Sequence, residues 1–138
     1  MKLSEALMYH LKNQTSITNI VSNRIYYQKA PENTEKPFLV INKVSAPREV
    51  SFGSSPGLVY GRYQFSGFAD GINSYPIAEN ILTALNSTSV LRDIVGIIGS
   101  SGGVQIDYTE LIDEGDITIN PSLNVSGLFA DWYIYYHE

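Results

Sequence analysis

The chain contains no cysteine among its 138 residues. Disulfide scaffolds, zinc sites with cysteine ligands and thiol catalysis are therefore excluded, because each of them needs a cysteine sulfur. Histidine is almost as scarce, since His10 in a predicted helix and His137 in the last residues of the sequence are the only two. This scarcity argues against a Ser-His-Asp catalytic site and against a multi-histidine metal site.

The sequence also has little positive charge. Only nine residues are Lys or Arg, the net charge is −5, and charged residues make up 17% of the chain. A surface that binds duplex nucleic acid normally carries a cluster of basic side chains, whereas here the densest run, from Lys29 to Arg48, is diluted by acidic neighbours. The composition is therefore that of neither a basic nucleic-acid binder nor a disordered polyelectrolyte.

No cofactor motif is present. The glycine-rich run Gly99–Gly103 lacks the Lys-Ser/Thr pair that grips phosphate and Mg²⁺, so it is interpreted as a linker and no cofactor is expected. Apolar runs stay well short of the roughly 20 residues that span a bilayer, and Ser4, Glu5 and Lys12 interrupt any signal-peptide core. We therefore expect one domain over residues 1–138 that is made in a cytoplasm and does not enter a membrane.

The clearest structural signal lies between Leu58 and Asn86, where a strand pattern is followed by a helix pattern. In the first half, the apolar side chains alternate with polar ones at Val59, Tyr63, Phe65 and Ala69. In the second half, they share one helical face at Ala78, Ile81, Leu82 and Leu85. Because Asp70-Gly71 supplies a turn between the two, we expect the helix to cover its own strand.

A second strand is predicted over Phe38–Val44, and its even-numbered positions favour an apolar face that continues to Val50 and Phe52. With the strand from Leu58, this segment predicts a long antiparallel hairpin whose tip lies around Pro47–Gly57. The tip has two interpretations: a surface loop, or an arm that packs on a neighbouring subunit.

The rest of the chain completes a mixed domain. Leu3 opens an amphipathic helix, and Val104–Thr109 alternates as a further strand. The last strand, Leu128–Tyr136, has Trp132 on one face and Tyr133 and Tyr135 on the other, so both faces are expected to be covered. The predicted fold is α+β, with two main helices on one face of a mostly antiparallel sheet of four to five strands and a projecting β-hairpin.

An acidic stretch is the only candidate for chemistry. Five carboxylates fall within ten residues, at Asp107, Glu110, Asp113, Glu114 and Asp116. Their spacing does not match the calcium loop of an EF-hand, so a solvated acidic loop is favoured and no metal or catalytic residue is predicted. The ten tyrosines fit either a core or a protein interface, where tyrosine is enriched.

The order of these features resembles the tail completion, or tail terminator-like, proteins of long-tailed bacteriophages and prophages. The resemblance covers nearly the whole chain and follows the first helix, Arg24-Ile25-Tyr26, Pro37-Phe38-Leu39-Val40-Ile41, Phe68-Ala69-Asp70, Ile81-Leu82-Thr83-Ala84-Leu85 and Asp131-Trp132-Tyr133-Ile134. The segments Ser87–Gly103 and Asp107–Asp116 match no pattern of that family.

The resemblance implies a non-enzymatic virion protein that caps the head-proximal end of the tail tube as a homo-oligomeric ring, commonly a hexamer. Its partners would be the tail tube protein and a head-tail connector protein, with genome DNA passing through unbound. The expected subunit contacts are Arg48, Val50, Phe52, Trp132, Tyr133 and Tyr135. The expected lumen-facing acidic loop contains Asp113, Glu114 and Asp116, whose charge would repel DNA.

Three other functions remain open from the sequence. The chain could serve as a head-completion or connector protein, as a monomeric binding module of a mobile element, or as an enzyme that uses Asp107 or Glu110. Oligomeric state and binding to tail tubes separate the tail terminator, the connector protein and the binding module, and metal-dependent hydrolysis would identify the enzyme.

Overall fold

The computed structural model describes residues 2–45, 58–100, 102–117 and 124–137. Its helices are α1 Leu3–Lys12, α2 Thr15–Val21 and α3 Ser74–Leu85. Its strands are β1 Ile25–Tyr27, β2 Phe38–Ser45, β3 Leu58–Asp70, β4 Gly96–Ile98, β5 Val104–Ile117 and β6 Val125–His137. The predicted α+β class is confirmed, and the described residues form three helices where two main helices were predicted and six strands where four to five were predicted.

The six strands form one strongly curled sheet, like half of a barrel, in the order β1-β2-β3-β6-β5-β4. Every neighbouring pair is antiparallel except β1 and β2, which run parallel. The pairing of β5 with β6 is interrupted by irregularities between Ile106 and Tyr108 and between Leu111 and Asp113. Such bulges increase local twist and bend a strand, so they contribute to the curl of this half of the sheet.

The underestimate of the strand count comes from the two edges of the sheet. Both β1 and β4 have only three residues. A three-residue strand is too short to display a period of two, so hydrophobic alternation cannot identify it. The short apolar run from Ile94 to Ile98 fits either a strand or a helical turn, and the structure places β4 at Gly96–Ile98.

The predicted module of β3 and α3 is confirmed and forms the centre of the core. Phe65 of β3 and Ile81 of α3 are both fully buried. Gly67, two residues after Phe65 on β3, lies against Ile81, because an added Cβ would come within 2.8 Å of the Ile81 Cγ2 atom. Gly71 has a φ of +89° in the turn that joins the strand to the helix. The absence of side chains at these two positions therefore lets the helix turn back and lie directly on its strand.

The even-numbered positions of β2 face away from the helices. The odd positions Leu39 and Ile41 lie in the core beneath the helices, while the even positions Phe38 and Val40 point to the opposite side of the sheet. Both parities of this strand are apolar, so alternation alone could not choose between them. Val44, on the even parity, is exposed.

The helices α1 and α2 close the same side of the sheet as α3. Their buried side chains join the core cluster at Leu7, Leu11, Ile17 and Val21. His10 Nε2 lies 2.7 Å from the carbonyl oxygen of Val90, and the buried Thr109 hydroxyl donates to the carbonyl of Leu91 at 2.6 Å. These polar contacts fix the segment between α3 and β4 against α1 and β5.

The outer edge of β5 is long and mostly uncovered by strands. β6 pairs with β5 along one side from Gln105 to Ile117, but β4 pairs with the other side only between Val104 and Ile106. Within the described ranges, no strand lies beside the outer edge from Asp107 to Ile117.

Candidate interaction surface

One face of the sheet has no helix on it in the described part of the chain, and we call it the open face. All three helices contribute to the single core on the other side. Strand alternation and the observed register place on the open face Phe38, Val40 and Asn42 of β2, Tyr60, Arg62, Gln64, Ser66 and Phe68 of β3, Glu110 and Asp113 of β5, and Phe129, Asp131, Tyr133 and Tyr135 of β6.

Four tyrosines from three strands form a cluster on this face. The rings of Tyr60 and Tyr135 stack with their centroids 5.3 Å apart, and Tyr133 meets Tyr60 edge to face at 5.6 Å. Tyr108 lies 5.6 Å from Tyr135 and is 54% exposed. Tyrosine combines a large apolar ring with a polar hydroxyl, so this tyrosine cluster has the composition of a protein contact surface.

The aromatic surface continues at the far end of β2 and β3. Phe38 stacks on Phe68 with a centroid distance of 5.1 Å, and Tyr26 of β1 contacts Phe38 edge to face at 6.2 Å. These rings are half-buried although no helix covers them. The open face therefore presents aromatic groups at both ends, separated by a polar centre.

The polar centre is an ion pair between Arg62 and Asp131. The Arg62 Nη2 atom donates to Asp131 Oδ2 at 2.6 Å, and the two side chains are 36% and 4% exposed, respectively. This hydrogen bond and the charge of the carboxylate raise the pKa of Arg62 above its ordinary value. Asp131 Oδ1 and Arg62 Nε are buried without a hydrogen-bond partner among the described residues. The Asp131 carboxylate is thus desolvated while Arg62 stays partly exposed, and the pair is incompletely satisfied.

The predicted acidic loop is wrong in its secondary structure, because Asp107–Asp116 lies within strand β5. Asp113, Glu114 and Asp116 are exposed, but the alternation of the strand separates them. Asp113 lies beside Asp131 on the open face. Glu114 and Asp116 lie on the helix side, where they accept hydrogen bonds from Asn86 Nδ2 at 3.1 Å and from the Tyr75 hydroxyl at 3.2 Å. The negative charge of the acidic stretch is therefore divided between the open face and the helix side of the sheet.

Three residues of β6 were predicted for a subunit contact, and they lie on different faces of the sheet. Tyr133 and Tyr135 belong to the tyrosine cluster. Trp132 is only 1% exposed, lies on the core face, and donates from Nε1 to Asn86 Oδ1 at 3.1 Å. Its interface assignment is corrected, because a large ring on the helix-covered parity is enclosed within its own subunit.

The hairpin tip and its candidate contacts Arg48, Val50 and Phe52 lie outside the described residues. The pairing of β2 with β3, which makes the base of the hairpin, is confirmed from Phe38 to Ser45.

No three His, Asp or Glu side chains of the described residues come close enough to hold a metal ion. His137 Nδ1 contacts Asp107 Oδ2 at 2.5 Å, while His10 lies at the far end of α1 beside Val90. The helices that the structure describes include none long and apolar enough to cross a membrane.

Sequence reasoning missed the ion pair at the centre of the open face. A signal was available, because Arg62 and Asp131 each interrupt a predicted aromatic strand with a charge. Two opposite charges on strands that pair with each other tend to lie within reach. The strand order, which places β3 beside β6, could not be derived from the sequence.

Comparison with known proteins gives a structural match without a sequence match. No model of a known protein family matches the chain, and no curated protein matches it in sequence. Its fold is similar to that of a chain in a solved structure described as the virion of a native gene transfer agent particle, with a TM-score of 0.72. The alignment covers 99% of this chain and 95% of that chain at 11% sequence identity. The fold is therefore one that also occurs in a virus-like particle.

Proposed function

We propose that the chain is a non-enzymatic structural protein of a phage-like particle, which caps the head-proximal end of a tail tube as a homo-oligomeric ring and helps to join the tail to the head. The main support is the fold similarity over nearly all of both chains to a component of a gene transfer agent virion. The proposed position at the end of the tail rests on the order of sequence features that resembles tail terminator-like proteins.

The open face supports the assembly part of the proposal. A closed ring needs two unlike surfaces on each subunit that fit each other head to tail. The tyrosine cluster supplies one surface, with Tyr133 and Tyr135 at its centre. The hairpin that carries Arg48, Val50 and Phe52 is the proposed second surface, on the neighbouring subunit. A hexamer is the ring size we propose.

Electron microscopy of the purified chain, alone and mixed with tail tubes of the particle that encodes it, tests this function. We expect rings on one end of each tube and tubes of uniform length when the chain is present during tube assembly. Binding to head connectors without binding to tubes would favour a head-completion protein. A strict monomer that ignores both would favour a binding module and contradict the proposal.

Replacing Tyr108 with serine is expected to weaken ring formation at least about fivefold in concentration, because truncating an aromatic side chain that contributes to an interface costs about 1 kcal/mol or more of binding. Tyr9 on α1 is a matched control, since it is 46% exposed but lies outside the open face. Analytical ultracentrifugation of Tyr108→Ser and Tyr9→Ser gives both association constants. Equal weakening, or none, would remove the tyrosine cluster from the interface.

The division of the acidic residues between two faces of β5 gives a test of which face lines the channel. A lumen lined by carboxylates repels DNA and allows it to slide. If the open face lines the lumen, Glu110→Gln with Asp113→Asn should slow genome passage, while Glu114→Gln with Asp116→Asn should not. The reverse result would assign the helix side to the lumen. The measurement is infectivity, or gene transfer, for variants whose rings look normal by microscopy. If neither double substitution changes it, an acidic lumen is excluded.

A further inference from the structure

A cavity of about 470 Å³ lies on the helix side of the sheet, at the N-terminal end of α1. It is separate from the open face, and no role proposed above uses it. Its lining includes Lys2, Ser4, Tyr27, Lys43, Tyr63 and Gly103.

The helix end that opens on this cavity has unsatisfied donors. Lys2 occupies the N-cap position and provides no side-chain cap, and the first helical hydrogen bond of α1 runs from the Ala6 N–H to the Lys2 carbonyl at 2.9 Å. The amides of the first turn before Ala6 therefore have no acceptor within the helix. Such amides, together with the helix dipole, favour an anion.

A second and independent feature points into the same cavity. Tyr63 is 2% exposed, and its side chain lines the cavity. Burial, followed by the neighbouring Tyr136 and Tyr27 hydroxyls, raises the pKa of Tyr63 well above its ordinary value. The hydroxyl is therefore protonated throughout the neutral range and is available as a donor to a ligand.

The charged side chains that line the cavity also favour an anion. Lys2 and Lys43 both line it, and none of the described residues in its lining is an Asp or Glu. This is a local excess of positive charge on a chain whose net charge is −5. Two ammonium groups, a tyrosine hydroxyl and free helix amides together match an anion that carries two charges and several acceptor oxygens.

We propose that this cavity binds a phosphate monoester, with the phosphate group between Lys2, Lys43 and the Tyr63 hydroxyl. The phosphate is preferred over a single carboxylate because it brings the second negative charge and the additional oxygens. The volume exceeds that of a phosphate group, so it also holds a small organic substituent. The rings of Tyr27 and Tyr63 provide apolar surface for that substituent.

Titration of the full chain with phenyl phosphate, followed by amide NMR signals at constant ionic strength, tests the site. We expect saturable shifts at Ser4 and Gly103, and at least about tenfold weaker binding of benzoate, which carries the same ring with one charge. Tyr63→Phe, which removes only the hydroxyl, should weaken phenyl phosphate binding about tenfold, as loss of a hydrogen bond to a charged group does.

The lysines provide a test that does not disturb the core. Lys2→Met should weaken binding several-fold, whereas Lys12→Met, at the other end of the same helix, should leave it unchanged. Lys43→Met repeats the test from β2 and remains informative if Tyr63→Phe fails to fold. Equal affinities for phenyl phosphate and benzoate, equal effects of Lys2→Met and Lys12→Met, or shifts spread over the whole surface would each overturn the proposal. The assembly function does not depend on this result.

Discussion

Replacing Phe65 with alanine is expected to lower the free energy of unfolding by about 3 to 5 kcal/mol. The ring is 0% exposed and lies on the core face of β3, opposite Ala130 of β6 in the strand register. Because the small alanine neighbour cannot fill the space, the substitution leaves a cavity in addition to the lost burial. Urea denaturation followed by circular dichroism measures the difference.

Phe68 on the same strand is the matched control. Its ring is half-buried on the open face, where it stacks on Phe38. Phe68→Ala should cost less than half as much as Phe65→Ala, because less apolar surface is removed from contact with the rest of the chain. Equal losses at the two positions would mean that the open face is as tightly enclosed as the core.

Adding one methyl group at Gly67 should destabilise the protein by about 1 to 3 kcal/mol. The new Cβ would lie 2.8 Å from Ile81 Cγ2 and 3.1 Å from Ile81 Cβ, so α3 must move away from β3. Gly115→Ala is a suitable comparison. There the nearest atom is the Cε1 of the half-buried Phe129 ring at 3.1 Å, which can tilt aside at smaller cost.

A double-mutant cycle with Ile81→Ala separates this contact from a general effect of the glycine. If the clash with Ile81 causes the loss, the combined Gly67→Ala and Ile81→Ala variant should be more stable than the sum of the single losses predicts. Thermal and urea unfolding of the four proteins give the coupling energy. Strict additivity would show that Gly67 acts through backbone conformation and not through the packing of α3.

The elements that could be predicted from the sequence are those in which apolar and polar residues alternate with a clear strand or helix period. β3 and α3 switch from a period of two to a helical period with a glycine turn between them, so both the elements and their contact were predictable. For β2 the strand itself was predictable, but the face that packs against the helices was not. Leu39 and Val40 are both apolar, and the choice of face depends on where the helices lie. The strand predicted over Val104–Thr109 is confirmed as the first part of β5. The rest of β5 was missed because its carboxylates resemble a loop, although paired strands tolerate charges at exposed positions.

The candidate surface was predictable in part for the same reason. Tyr133 and Tyr135 alternate with Trp132, which correctly assigns them to opposite faces, but only the tertiary structure decides which face the helices cover. The polar centre formed by Arg62 and Asp131 depends on the placement of β3 next to β6. These strands are separated by more than 50 residues, so local sequence signals contain no information about their pairing.

The uncovered edge of β5 has a consequence for the symmetry of assembly. A free strand edge can pair with an identical edge of a second copy, which yields a two-fold dimer and ends growth. Here such antiparallel pairing would bring Glu110, Asp113, Glu114 and Asp116 of one copy beside the same residues of the other, and like charges on paired strands repel. Edge-to-edge dimers are therefore disfavoured. This bias favours contacts between unlike surfaces, the kind of contact from which the proposed ring would be built.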